Sequence, residues 1–234
     1  MGTCVSTLMP RKKTSTKKRS YKTKVYKKRI PRYNPEGSGP EEKQVLVAGS
    51  LTVPDAGLFS DPVTLLNAVG AGTSIGDRVG NRFKFTSLEL RYTYYPGVVV
   101  SAVTPNSRAR IIVLFDKQAN GALPLIPDIF VNNPATAIFV HPLDPTRIQS
   151  RFLPIADIMT ELSPGESDTA DRMTPVSGVI RRKFDLTTIF RGTGATIAAI
   201  SEGSFILLMA GNSTGTHGST TVLQMYSKLQ FTDV

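Results

Sequence analysis

The stretch RKKTSTKKRSYKTKVYKKR, Arg11 to Arg29, places lysine or arginine at eleven of nineteen positions and holds no acid. Residue types in that pattern do one kind of chemistry well. Each cation that neutralises a phosphate releases condensed counter-ions, which gives strong, salt-sensitive, sequence-independent binding to nucleic acid. The candidate contacts are Arg11, Lys12, Lys13, Lys17, Lys18, Arg19, Lys22, Lys24, Lys27, Lys28 and Arg29, with Arg32 just beyond. Interleaved Tyr21, Tyr26 and Tyr33 offer flat faces that stack on unpaired bases, which favours single strands. The clusters RKK, KKR and YKKR also satisfy a nuclear-import receptor. Just before them, MGTCVS fits the myristoylation template through Gly2 and Ser6, with Cys4 as a palmitate acceptor. Stable anchoring needs two such signals, so a lipid anchor is the rival use of this end.

Other motifs carry less chemistry. VGAGTSIGDRVG, Val69 to Gly80, is glycine-rich but lacks the G-K-[ST] ending of a phosphate loop, and reads as a surface loop. GNSTG, Gly211 to Gly215, matches G-x-S-x-G literally, yet a nucleophile elbow needs a helix next, and THGSTT follows instead. Asn212-Ser213-Thr214 is a glycosylation sequon that stays bare without a secretory signal. Two histidines, His141 and His217, and the single Cys4 make no zinc cluster. ELSPGESDTAD, Glu161 to Asp171, does not have the spacing of an EF-hand loop. The expectation is therefore a protein with no catalytic residue, no metal and no cofactor.

The elements that must carry these residues divide sharply by charge. Residues 1–35 hold twelve basic side chains and no acid, whereas the other 199 residues hold sixteen basic and eighteen acidic side chains, a net of −2 within a total of +10. The body is near neutral; the basicity is an appendage. With almost no aliphatics, residues 1–43 read as a disordered basic arm ending in the linker PEGSGPEE, and residues 44–234 as one folded domain. No disulfide can form within the chain, and no apolar run reaches the roughly 20 residues of a membrane span, so a membrane partner is not expected.

Beyond the linker the sequence is strand after strand, rich in Val, Ile, Phe, Tyr and Thr and broken by Gly, Pro, Asn and Asp. Eight strands are expected, near 44–53, 83–95, 108–116, 151–162, 179–186, 195–200 (the weakest), 204–211 and 221–232. Leu88, Leu90, Tyr92 and Tyr94 alternate with polar neighbours, as do Leu223, Met225, Leu229 and Phe231. Phe83 and Phe85 are out of phase with Leu88, which requires a bulge near Thr86–Ser87. The unbroken apolar run Ala109–Phe115 calls for cover on both faces. Short helical pieces fit 62–69 and 127–131. The fold class is all-β: a single antiparallel β-sandwich, with an eight-stranded jelly roll the leading choice.

Taken in order, several pieces resemble the capsid proteins of small circular single-stranded DNA viruses that encode a replication initiator, and more loosely satellite-necrosis-virus-like coats. A basic arm precedes GTSIGDRVGNRFKFTSLELR (72–91), then RARIIVLFDKQANGALP (108–124), RIQSRFLPIADIMTEL (147–162), RRKFDLTTIFRGTG (181–194), FILLMAGN (205–212) and a closing KLQFTDV (228–234). The MGTCVS start departs from that pattern. The resemblance implies a virion protein that assembles with itself, in about sixty copies, into a small icosahedral shell around single-stranded DNA. Arms on sixty copies would bring on the order of 720 positive charges to the genome. It also implies a passage through the host nucleus and weaker interior contacts from Arg78, Arg82, Arg181, Lys183 and Arg191, which read equally well as ordinary surface or salt-bridge charges. The alternative is a nucleic-acid-binding or lipid-anchored β-domain that recruits partners without building a shell.

Overall fold

The computed structural model describes residues 42–52, 63–74, 76–95, 107–131, 142–162, 175–212 and 222–233. The basic arm with Gly2 and Cys4, residues 35–41 of the linker, His141, His217, residues 213–215 of GNSTG and residues 163–171 of the acidic loop lie outside them.

Nine strands are described: β1 (Glu42–Thr52), β2 (Thr64–Leu65), β3 (Arg82–Tyr95), β4 (Ser107–Asp116), β5 (Phe152–Leu162), β6 (Val176–Phe190), β7 (Ile200–Glu202), β8 (Ser204–Asn212) and β9 (Val222–Asp233). They form two antiparallel sheets, one in the order β1-β9-β3-β6-β7 and the other β2-β8-β4-β5. With the short β7 set aside, the pairings are nested: first with last (β1–β9), second with next to last (β2–β8), then β3–β6 and β4–β5. A long hairpin rolled across itself gives that nesting, and the result is a jelly-roll β-sandwich.

Alternation decides which side chains meet between the sheets. Leu88, Leu90, Tyr92 and Tyr94 from β3, Leu223, Met225, Leu229 and Phe231 from β9, and Ala109, Ile111, Val113 and Phe115 from β4 are all buried in one core. The expected bulge is present, because the registers of β3 with both β6 and β9 slip between Phe85 and Ser87. That slip lets Phe83 and Phe85 face inward with Leu88, where Phe83 meets Phe190 and Phe231 edge to face at 5.6 Å. The other face of β4 is covered as well. Ile112 and Leu114, with Ile206 and Leu208 of β8, pack under Ile129, Phe130 and Phe152 in a second apolar layer. Burying each of those side chains contributes about 1.5–3 kcal/mol.

Helix α1 (Ile126–Ile129), expected at 127–131, and helix α2 (Pro145–Ser150) form part of that cover. Helix α2 starts on Asp144, whose carboxylate accepts from Thr146 N at 2.8 Å, and it feeds β5 through Arg151. Arg151 forks onto the fully buried Asp116 at 2.9 and 2.8 Å, fixing the end of β4.

Three expectations need correction. Of the segment expected to be helical at 62–69, the described residues 63–69 are not: Thr64 and Leu65 pair with β8, while buried Asn67 gives Nδ2 to Gly203 O and takes Phe205 N. Helix-like spacing of Val63, Leu66 and Val69 misreads a segment held by sheet backbone. Residues 195–200 supply a 3-10 turn (Ile197–Ala199), and the strand follows it. Strand β6 runs four residues beyond 186 and three before 179, since Val176 to Gly178 and Thr187 to Ile189 have partners on β3 and Phe190 pairs with Ile200 of β7.

Candidate nucleic-acid interface

Residues facing away from the core on the five-stranded sheet form rows set by the register. One row is Leu46–Lys228–Glu89–Arg181, across β1, β9, β3 and β6. The next rows on either side are Gln230–Ser87–Lys183 and Tyr226–Arg91–Val179. Neighbouring strands lie about 4.8 Å apart, and positions i and i+2 along a strand about 6.7 Å apart. Arg91, Arg181, Lys183 and Lys228 therefore crowd around a single carboxylate, Glu89. Arg181, Lys183 and Lys228 line a shallow groove of about 410 Å³ together with Ser87, Glu89, Arg182 and Gln230, and Arg91 lies beside it in the next row.

Local hydrogen bonds hold this arrangement. Glu89 Oε1 accepts from Arg91 Nε at 2.7 Å, and Oε2 accepts from Arg181 Nε at 3.3 Å. Those bonds, Arg181 first and Arg91 second, keep the Glu89 carboxyl below its usual range. Ser87 Oγ donates to Gln230 Oε1 on the adjacent strand. Lys183 and Lys228 have no carboxylate partner among the described residues. Arg182, on the opposite alternation, gives Nε to Ile155 O of the other sheet at 3.2 Å. The face can therefore hold an anion: two forks and two ammonium groups, with one internal acid to displace.

Of the five body cations singled out in the sequence, the structure brings Arg181 and Lys183 together. Arg82 is exposed at the start of β3, separated along the strand from the groove by the Lys84–Asp185 ion pair at 2.6 Å. Arg191 is exposed just past β6. Arg78 is a correction. It is 1% exposed, and its guanidinium serves backbone: Nε to Val69 O at 3.2 Å, Nη1 to Gly80 O at 2.9 Å, and Nη2 to Gly192 O. It also lies 4.3 Å over the Phe190 ring. Burial pulls it below its ordinary basicity, and no phosphate can reach it. Arg78→Lys is expected to cost about 1–2 kcal/mol, since one ammonium nitrogen cannot reach the three carbonyls that Nε, Nη1 and Nη2 serve from separate positions, while leaving the salt dependence of nucleic-acid binding unchanged. Denaturant titration and oligonucleotide anisotropy on one preparation check both halves.

Sequence reasoning missed Arg91, Lys228 and Glu89. Their signal was present, because each occupies a polar position in an alternating strand, but the pairing that sets them in one row is not written locally. Among the described residues, no three His, Cys, Asp or Glu side chains gather as metal ligands.

A jelly-roll sandwich with a cationic groove on its five-stranded sheet is the class that fold and site define. No protein-family profile matches the chain. No curated protein sequence matches it either. Among solved structures it is similar to the VP2 subviral particle of infectious bursal disease virus, at 9% identity and a TM-score of 0.18, over 82% of this chain and 38% of that one. An overlap so loose adds nothing to the topology described above.

Proposed function

We propose that this chain is a structural capsid protein that assembles with itself into a small icosahedral shell and packages single-stranded nucleic acid on its basic arm. The observation that carries the reading is the conjunction of nested jelly-roll pairing with a charge split of +12 on residues 1–35 and −2 on the rest. Jelly rolls build many viral shells, and near-neutral bodies can pack side by side without mutual repulsion. The arm reads phosphates and not bases, so the preference for a DNA genome rests on the family resemblance alone. The same basic clusters serve as the address for a nuclear-import receptor. The role is structural rather than catalytic.

Expression of the full chain, electron microscopy and a nuclease-protection assay test this. Closed particles of uniform size holding protected nucleic acid are expected. Small soluble species alone, across a range of salt and pH, would overturn the shell reading in favour of a partner-recruiting β-domain. Mass spectrometry of the N-terminus after eukaryotic expression settles the anchor: an unmodified Gly2 removes it.

A further inference from the structure

We propose that the groove on the five-stranded sheet is a second binding site, for the phosphates of a single-stranded nucleic acid, and that Glu89 is its resident counter-ion, displaced when a phosphate arrives. The inference rests on the nucleic-acid reading above and adds a site on the folded body to the one on the arm.

Glu89 already shows what the groove accepts. Its carboxylate takes Arg91 on one oxygen and Arg181 on the other, as a phosphate oxygen pair would. The two arginines are thus held in place before any ligand arrives, and their side chains remain 58% and 66% exposed. A phosphate exchanging with Glu89 would keep both forks and gain Lys183 and Lys228, which flank the carboxylate on β6 and β9. Arg181 and Lys183 stand about 6.7 Å apart along β6, comparable with successive phosphates on an extended strand. Lys228 is set across the sheet from Arg181, on the far side of Glu89, so a backbone crossing β6, β3 and β9 meets a cation on each side of the carboxylate it displaces.

The neighbouring row chooses among polyanions. Tyr226 is 39% exposed and Val179 49% exposed, on either side of Arg91. A flat aromatic face beside a guanidinium suits an unpaired base next to its own phosphate, whereas a duplex keeps its bases stacked inside. An acidic peptide would satisfy the arginines but has no use for the tyrosine.

The test uses the full chain and fluorescent oligothymidylate. Three results are expected. Ultraviolet crosslinking, mapped by mass spectrometry, should place a crosslink at Tyr226 besides those in the arm. Lys183→Ala with Lys228→Ala should flatten the slope of log affinity against log salt by about 1.4, two contacts at roughly 0.7 each for a single strand. Glu89→Gln should tighten binding several-fold, a gain that a misfolded variant cannot imitate. Crosslinks confined to the arm, with slope and affinity unchanged in both variants, would refute the groove and leave the arm standing. A Tyr226 crosslink with none in residues 1–40 would keep the groove and refute the arm. No binding by the wild-type chain sinks both. Displacement of oligothymidylate by oligoglutamate at equal charge concentration would overturn the nucleic-acid assignment in favour of an acidic peptide.

Discussion

Gly203→Ala is expected to remove about 2–5 kcal/mol of stability. Gly203 sits at the corner where the chain leaves β7 in the five-stranded sheet and enters β8 in the other. Its φ is +77°, in the left-handed region, where a Cβ costs about 1–2 kcal/mol. The Cβ would also collide with Thr187 O, the Phe115 ring and the Thr188 Cα, the last two at 2.9 and 3.0 Å. Backbone cannot swing aside as a side-chain tip does, and overpacking of this kind costs a further 1–3 kcal/mol or so. Relaxation is blocked because the Gly203 carbonyl accepts from Asn67 Nδ2 at 3.0 Å and Thr188 Oγ1 at 2.6 Å, both from fully buried residues. Moving the corner would leave the Thr188 hydroxyl without its acceptor and Asn67 Nδ2 with only its 3.3 Å bond to Thr188 Oγ1. Against the roughly 5–15 kcal/mol of a typical domain, the loss is large. Denaturant unfolding should show a lower midpoint at constant m-value; a change below about 1 kcal/mol would mean that the corner yields and the Asn67 knot does not hold it.

What the sequence disclosed follows from which interactions are local. Period-two patterning places β3 and β9, and it even places the bulge, because Phe83 and Phe85 can join Leu88 in the core only through a register slip. The apolar run of β4 announced a two-faced strand for the same reason. Partners are a different matter. β1 and β9 lie at opposite ends of the body and pair over eleven residues, from Glu42 with Thr232 to Thr52 with Val222, and alternation says nothing about which strand answers which. The groove suffers from that directly. Arg181 and Lys183 stand out because RRK is a cluster in sequence, whereas Arg91, Glu89 and Lys228 are single charges on separate strands until the sheet aligns them. Arg78 shows the converse error. A cation in a glycine-rich loop looks solvated, and only the folded loop reveals that carbonyls of Val69, Gly80 and Gly192 surround it. Helix α2 was within reach, since Asp144-Pro145 is an N-cap followed by a proline at the first helical position.

Replacing the twelve lysines and arginines of residues 11–32 with glutamine is expected to abolish most nucleic-acid binding while leaving Tm unchanged. The substitution removes all the positive charge from the arm and takes the net charge from +10 to −2, so the long-range attraction reverses sign. If each arm cation neutralises one phosphate of a single strand, the wild-type slope of log affinity against log salt approaches about −8; with half of them engaged it is about −4. Between 50 and 200 mM salt those slopes correspond to losses of roughly 10⁵-fold and 10²-fold, and the neutralised chain should lose far less over the same range. The residual slope is itself informative. The four cations around Glu89 would leave a remainder of about −2 to −3 if the groove binds phosphate, and near zero if it does not. Anisotropy titrations of oligothymidylate at several salt concentrations read both quantities. A neutralised chain that kept the wild-type slope would move nucleic-acid binding from the arm to the body, and the division of labour between a cationic arm and a near-neutral folded domain would be wrong.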